Sequence, residues 1–192
     1  MIILIGASSS GKSTIEQEVD KRGICNKLTS HTTRPMRANE VEGVDYYFAD
    51  KDAFLKMENN NEFIEERVYL TKYGYWEYGL SKKEVDDNLN GIVVLDLDGA
   101  RELEEYIKRQ HPDERITTIF IDCSSKTRLL RSLSRDDCDD DKCAEICRRY
   151  LDDSMWIKEA MEYCDFILKN ETEEDFEEII EFIKYIKKIV YK

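Results

Sequence analysis

Residues 2–14 read IILIGASSSGKST: a four-residue apolar run, a loop of small residues between Gly6 and Gly11, then a lysine followed by two hydroxyls. The run is too short for a signal segment or a membrane span and suits a buried strand. A helical pattern starts at Lys12. The loop therefore fits G-x-x-x-x-G-K-[ST] in the context that gives the pattern meaning, with a strand before it and a helix after it. Its glycines let the backbone bend so that successive amides point inward, and the helix start adds partial positive charge. Gly6, Ala7, Ser8, Ser9, Ser10, Gly11, Lys12, Ser13 and Thr14 are thus expected to cradle the phosphates of ATP. Lys12 reaches the β- and γ-phosphates and Ser13 offers its hydroxyl to Mg²⁺. Such a loop says that a nucleoside triphosphate is bound and nothing about what receives the phosphate.

Working outward, β-branched runs at Gly91–Leu97, Ile116–Ile121 and Phe166–Leu168 repeat the first strand, each followed by an amphipathic stretch. Helices are expected from Lys12, Ala100 and Lys126, and from Thr172 to the end. Strand–helix alternation predicts an α/β architecture in three layers, because parallel neighbours need crossover connections. The last helix is the plainest. Thr172 and Asp175 have capping-box spacing, and Phe176, Ile179, Ile180, Ile183, Ile186 and Val190 make one apolar stripe. Between Thr29 and Leu80 the pattern turns aromatic and alternating, at Val44–Phe48, Glu62–Leu70 and Tyr73–Tyr78. A small antiparallel insertion is expected there, with a short helix over Asp52–Glu58. Asp136–Lys142 (DDCDDDK) is expected to be a solvated, mobile interruption.

The 192 residues suit one compact domain. A formal net charge of -13 argues against nucleic acid as a partner and requires that an anionic ligand be met by a few well-placed cations. The six cysteines show no paired spacing, so reduced thiols in a cytoplasm are expected, with no membrane association. Cys138, Cys143 and Cys147 are poorly spaced for zinc, and two histidines leave no room for a His-based triad or metal site.

Ser30–Phe48, SHTTRPMRANEVEGVDYYF, resembles the guanylate kinase signature. Pro35 stiffens the turn between Arg34 and Arg37, holding two guanidinium groups close, as bidentate recognition of a phosphate monoester needs; their bland reading is a surface pair bridging Glu40 and Glu42. By the resemblance, Arg34, Arg37 and Tyr46 hold the GMP phosphate, and Ser30 and Glu65 read the guanine. A carboxylate at Glu65 can accept from N1–H and the exocyclic amine together, a donor pair adenine lacks on that edge. Tyr78 matches a tyrosine that donates to the acceptor phosphate. The next position but one departs from the family, with Leu80 where Ser or Thr is usual, unless Ser81 substitutes. Asp96 and Asp98, in VVLDLDGAR, are placed on the GMP side, Asp96 also ordering Mg²⁺ through water, although two residues before Gly99 are missing relative to the family; for Asp98 a helix N-cap competes. Arg131, Arg135 and Arg149 resemble the lid arginines that close over the phosphates, whereas Arg128 and Arg148 are read as solvated. Asn170 resembles a residue near the donor base.

The resemblance implies a three-layer P-loop NTPase fold with a parallel core sheet, a small antiparallel acceptor-binding insertion and a helical lid. Within residues 1–192 the core covers 1–28, 81–130 and 150–192, the insertion 29–80 and the lid 131–149. It implies a monomeric or homodimeric kinase with ATP, Mg²⁺ and GMP as ligands. The open alternatives are a related kinase acting on dGMP, another nucleoside monophosphate or a phosphorylated sugar, and a non-catalytic interaction module.

Overall fold

The computed structural model describes residues 1–37, 40–71, 74–134 and 140–190. Its elements in chain order are β1 (Ile2–Ile5), α1 (Lys12–Lys21), β2 (His31–Thr32), β3 (Tyr47–Phe48), α2 (Lys51–Asn59), β4 (Phe63–Thr71), β5 (Gly74–Ser81), α3 (Lys82–Asp87), β6 (Ile92–Val94), α4 (Leu97–Gln110), β7 (Thr117–Asp122), α5 (Ser125–Leu133), α6 (Asp140–Tyr163), β8 (Phe166–Lys169) and α7 (Glu173–Val190).

The core sheet is wholly parallel, in the order β6-β1-β7-β8. Alternation along β1 separates the two outer layers. Ile2 and Leu4 join Ile15 and Val19 of α1 and Ile179, Ile180, Ile183 and Ile186 of α7 on one face. Met1, Ile3 and Ile5 join Val85 of α3, Leu103 and Ile107 of α4 and Ala160 of α6 on the other. Successive strand residues point to opposite faces, so an unbroken apolar strand serves two cores at once. Each of the four buried isoleucines of α7 contributes about 1.5–3 kcal/mol of burial. The capping box at its start is reciprocal: Asp175 N–H donates to Thr172 Oγ1 at 3.1 Å and Thr172 N–H to Asp175 Oδ2 at 3.0 Å.

The segment before β2 adds a short fifth row that the composition had not marked. Leu28 N–H donates to the Ile92 carbonyl and Ile92 N–H to that of Asn26, both at 2.9 Å.

The second sheet, β3-β2-β5-β4, is mixed and not antiparallel throughout: β4–β5 and β2–β5 are antiparallel but β2–β3 is parallel. The connection from Thr33 to Tyr46 is long enough to bring the chain back in the same direction. Two boundaries also move. β6 ends at Val94, and α4 begins at Leu97 and not at Ala100, because Asp96 caps it by accepting Gly99 N–H at 2.7 Å. α6 begins at Asp140, so the acidic interruption is shorter than expected; Asp136–Asp139, with Cys138, lie outside the described residues.

Candidate active site

The loop between β1 and α1 has the strained backbone a phosphate nest requires. Ser9 and Gly11 both have positive φ, at 61° and 100°. A Cβ at Gly11 would lie 2.3 Å from Asn170 Nδ2, which donates to the Ser10 carbonyl at 2.7 Å, so this turn admits only glycine. Asn170, at the end of β8, thus braces the loop. Lys12 folds back over it, donating from Nζ to the Gly6 and Ala7 carbonyls at 2.6 and 2.9 Å. Burial pushes its pKa down to about 8, opposed chiefly by the negative charge of Asp153. Ser13 and Thr14 are exposed at the first turn of α1, and Ser10 Oγ is buried without a partner.

Around this loop stand side chains from α5 and α6. Arg131 places Nη1 3.5 Å from the Ser10 carbonyl and Nη2 3.4 Å from that of Glu171. Arg128 is a correction: it is buried, with a side-chain exposure of 5%, and pairs with Asp153. Its place in α5 turns it inward toward α6, where a carboxylate is waiting, and not toward water. Arg148 is half-exposed and bridges Glu145 and Asp152 within α6. Arg149 lies on the same helix and donates to Glu145 at 2.9 Å. Arg135 lies outside the described residues.

The second sheet presents another cation. Arg34 is 4% exposed, with its guanidinium 5.4 Å from the Tyr46 ring and 5.6 Å from that of Phe48. Its fork grips Glu40 bidentately at 2.9 and 2.7 Å. Burial works to raise the Glu40 pKa, but the hydrogen bonds from Arg34 and the Arg37 amide outweigh it and hold it below the usual carboxylate range. Arg37 is 59% exposed and 3.8 Å from Glu40, so only one of the two expected guanidinium groups is enclosed. Tyr46 and Tyr78 meet edge to face at 5.8 Å, and burial lifts the Tyr46 pKa to about 12. The loop carrying Tyr46 is tied to the core by Gln17 donating to Asp45 at 3.3 Å and Lys27 to the Val44 carbonyl at 2.8 Å. Ser30 is half-buried, with its carbonyl holding Tyr47 N–H.

Glu65, on β4, is 5% exposed and lies under the first turn of α4: a Cβ at Gly99 would come 3.3 Å from its Oε2. Burial raises its pKa to about 7, against the favourable charge of Arg67. Asp96 accepts hydrogen bonds from Gly99 N–H, from Arg67 at 3.3 Å and from the Tyr69 hydroxyl at 3.1 Å. The structure therefore makes Asp96 the N-cap in place of Asp98. Asp98 is 76% exposed and paired with Arg101. Leu80 is fully buried, and Ser81 caps α3, accepting from Glu84 N–H, so neither supplies a hydroxyl to the cleft. Sequence reasoning missed Glu16 and Asp153, buried carboxylates beside the phosphate loop; the first shows as an acid breaking the inward face of α1.

A strand–loop–helix with a positive-φ, glycine-dependent turn and a lysine folded over it is the architecture of a P-loop phosphotransferase, and the inserted sheet adds an enclosed guanidinium able to meet a second phosphate. Residues 1–188 match the guanylate kinase family model. The guanylate kinase of Anaplasma phagocytophilum (strain HZ) is 30% identical over 192 residues, covering 97% of this chain and 84% of that protein. That of Mycoplasmoides gallisepticum is 30% identical over 188 residues, covering 97% and 90%. A crystal structure of guanylate kinase from Anaplasma phagocytophilum superposes with a TM-score of 0.67 at 26% identity, covering 98% of this chain and 84% of that one. The chain belongs to the guanylate kinase family. Among the described residues no helix is long and apolar enough to cross a membrane.

Proposed function

We propose that this protein catalyses ATP + GMP → ADP + GDP in the cytoplasm, as a nucleoside monophosphate kinase with core 1–28, 81–130 and 150–192, acceptor-binding insertion 29–80 and lid 131–149. The observation that carries the reading is the pair of separate anion sites, the nest with Lys12 and the enclosed fork of Arg34, with the buried Glu65 carboxyl on the same insertion as the fork.

The residues divide the work as follows. Gly6–Thr14 hold the donor phosphates by main-chain amides, and Lys12 exchanges its two carbonyl partners for phosphate oxygens. The exposed Ser13 hydroxyl and the partnerless Ser10 hydroxyl suit a hard cation and a polyanion. Ser13, with Asp96 through water, would hold Mg²⁺, which would supply charge neutralisation at the phosphates. Arg34, with Tyr46, Tyr78 and Arg37, grips the acceptor phosphate once Glu40 leaves the fork. Ser30 and Glu65 read the base. An acceptor phosphate oxygen then attacks the γ-phosphorus while the bond to the β–γ bridging oxygen breaks and ADP departs. Arg131 and Arg149, with Arg135, offset the charge in transit, and closing the cleft excludes water. Proton transfer by a tuned base is not required.

The test is ADP formation across GMP, dGMP, AMP, CMP, UMP and a sugar phosphate. GMP should lead in kcat/KM by about 10²-fold or more over the non-guanine acceptors. A better non-guanine acceptor overturns the assignment. Lys12→Ala should abolish turnover with an unchanged circular dichroism spectrum; retained turnover would remove the nest from the mechanism.

A further inference from the structure

Arg128 and Asp153 take part in no step above, yet their side chains are only 5% and 8% exposed. Arg128 Nη1 donates to Asp153 Oδ2 at 3.1 Å, and its guanidinium lies 5.1 Å from the Tyr150 ring. The same carboxylate accepts the backbone N–H of Ser8 at 2.7 Å. One anion therefore joins α5, α6 and the phosphate loop. A second tie lies one turn along α5, where the Ser132 hydroxyl donates to the Arg128 carbonyl at 2.9 Å and shares a hydrogen bond of 2.7 Å with the Ser9 hydroxyl.

The position of this junction matters more than its strength. Arg131 follows Arg128 by three residues on α5, and Arg149 precedes Asp153 by four on α6. Each is one turn away, on the helical face that carries the pair. A buried ion pair is weak evidence for stability, because desolvation offsets the attraction, and apolar side chains of similar volume often serve as well. Apolar contacts, however, carry no direction, and they would leave the Ser8 amide without its acceptor. The pair also leaves Arg128 Nε buried without a partner, a cost that packing alone gives no reason to retain.

We propose that Arg128 and Asp153 are positioning residues: their junction fixes the register of α5 and α6 against the phosphate loop, and through it the approach of Arg131 and Arg149 to the transferring phosphoryl group. This rests on the kinase reading above. A displacement of about 1 Å at such a junction is enough to cost roughly 10²-fold in rate.

The decisive variant is the double substitution Arg128→Leu with Asp153→Ala, which removes both charges together and leaves no lone buried ion. It should still fold, with a cooperative urea transition, although the Ser8 amide loses its acceptor. Its kcat with ATP and GMP should fall by about 10–100-fold with KM for GMP unchanged, and the ratio of GDP to ADP formed should drop below one as water competes for the phosphoryl group. Asp153→Asn keeps the shape and an acceptor for Ser8 but not the ion pair, and should show the same loss of coupling in milder form. If either variant folds and retains kcat within about threefold with GDP and ADP still formed in equal amounts, the junction is structural only and the proposal is overturned. Failure of the unsubstituted protein to form GDP overturns the kinase reading instead, and this inference with it.

Discussion

Replacing Glu16 by Gln should stabilise the protein at alkaline pH and do almost nothing at acid pH. Glu16 sits on α1, 5% exposed, and accepts Val94 N–H at 2.9 Å. The reason for its burial is local. Ile92 pairs with the Asn26–Leu28 segment, the chain then turns away at Thr29, and the next strand amide, that of Val94, is taken by Glu16. Burial pushes the carboxyl pKa from 4.5 up to about 8, opposed by the Lys27 charge and the Val94 amide and assisted by Asp20, with Lys12 a further opposing charge. Below pH 4.5 the group is protonated folded and unfolded, and its contribution is at its best. Between 4.5 and 8 the unfolded chain ionises while the folded one keeps its proton, so stability falls by about 1.4 kcal/mol per pH unit. The accumulated loss is on the order of 3 kcal/mol at pH 7 and 4–5 kcal/mol above pH 8. Gln keeps the shape and the acceptor oxygen but cannot ionise. Urea unfolding followed by circular dichroism at pH 5, 7 and 8.5 should show the variant gaining most at pH 8.5 and within about 1 kcal/mol of the unsubstituted protein at pH 5. A variant less stable at pH 8.5, or a difference that does not change with pH, would refute the reasoning and point to a charged Glu16 paired with Lys12.

Glu65 must be ionised to accept two donors from guanine, and burial places its pKa near 7, so kcat/KM for GMP should fall about tenfold per unit as the pH drops below 7 and level off above it; a flat profile between pH 5.5 and 8 would exclude a charged Glu65. Glu40 occupies the fork that the acceptor phosphate needs, so Glu40→Gln should lower KM for GMP by roughly 3–10-fold with kcat little changed; a raised KM would mean that Glu40 shapes the site. Gly11→Ala should destroy ATP binding, measured by calorimetry, because its Cβ would strike Asn170 at 2.3 Å and its φ of 100° is strained for alanine; unaltered binding would show that the loop has another conformation in use.

How much of this could be read from residues alone depends on how far each signal reaches along the chain. The nest is contiguous, Gly6 to Ser13, and its backbone, lysine and helix start lie where the pattern puts them. The parallel core is nearly as local, since each strand announces its own crossover. The second sheet was harder: β2 and β3 are two residues each, and the direction of their pairing depends on a loop whose length, and not its composition, decides it. Asp96 and Asp98 look alike in sequence, as a carboxylate two or four residues past a strand end serves equally as cap or ligand until Gly99 is placed. Arg128 and Asp153 stand at the far limit. They are 25 residues apart on separate helices, each surrounded by ordinary surface charges, and nothing in the period of α5 or α6 sets them apart from Arg148 or Asp152. Only the packing of two helices onto one loop converts two surface-type residues into a buried junction. Contiguous patterns such as Gly6 to Ser13 are therefore legible from short motifs, while contacts between distant helices become visible only once the chain is folded.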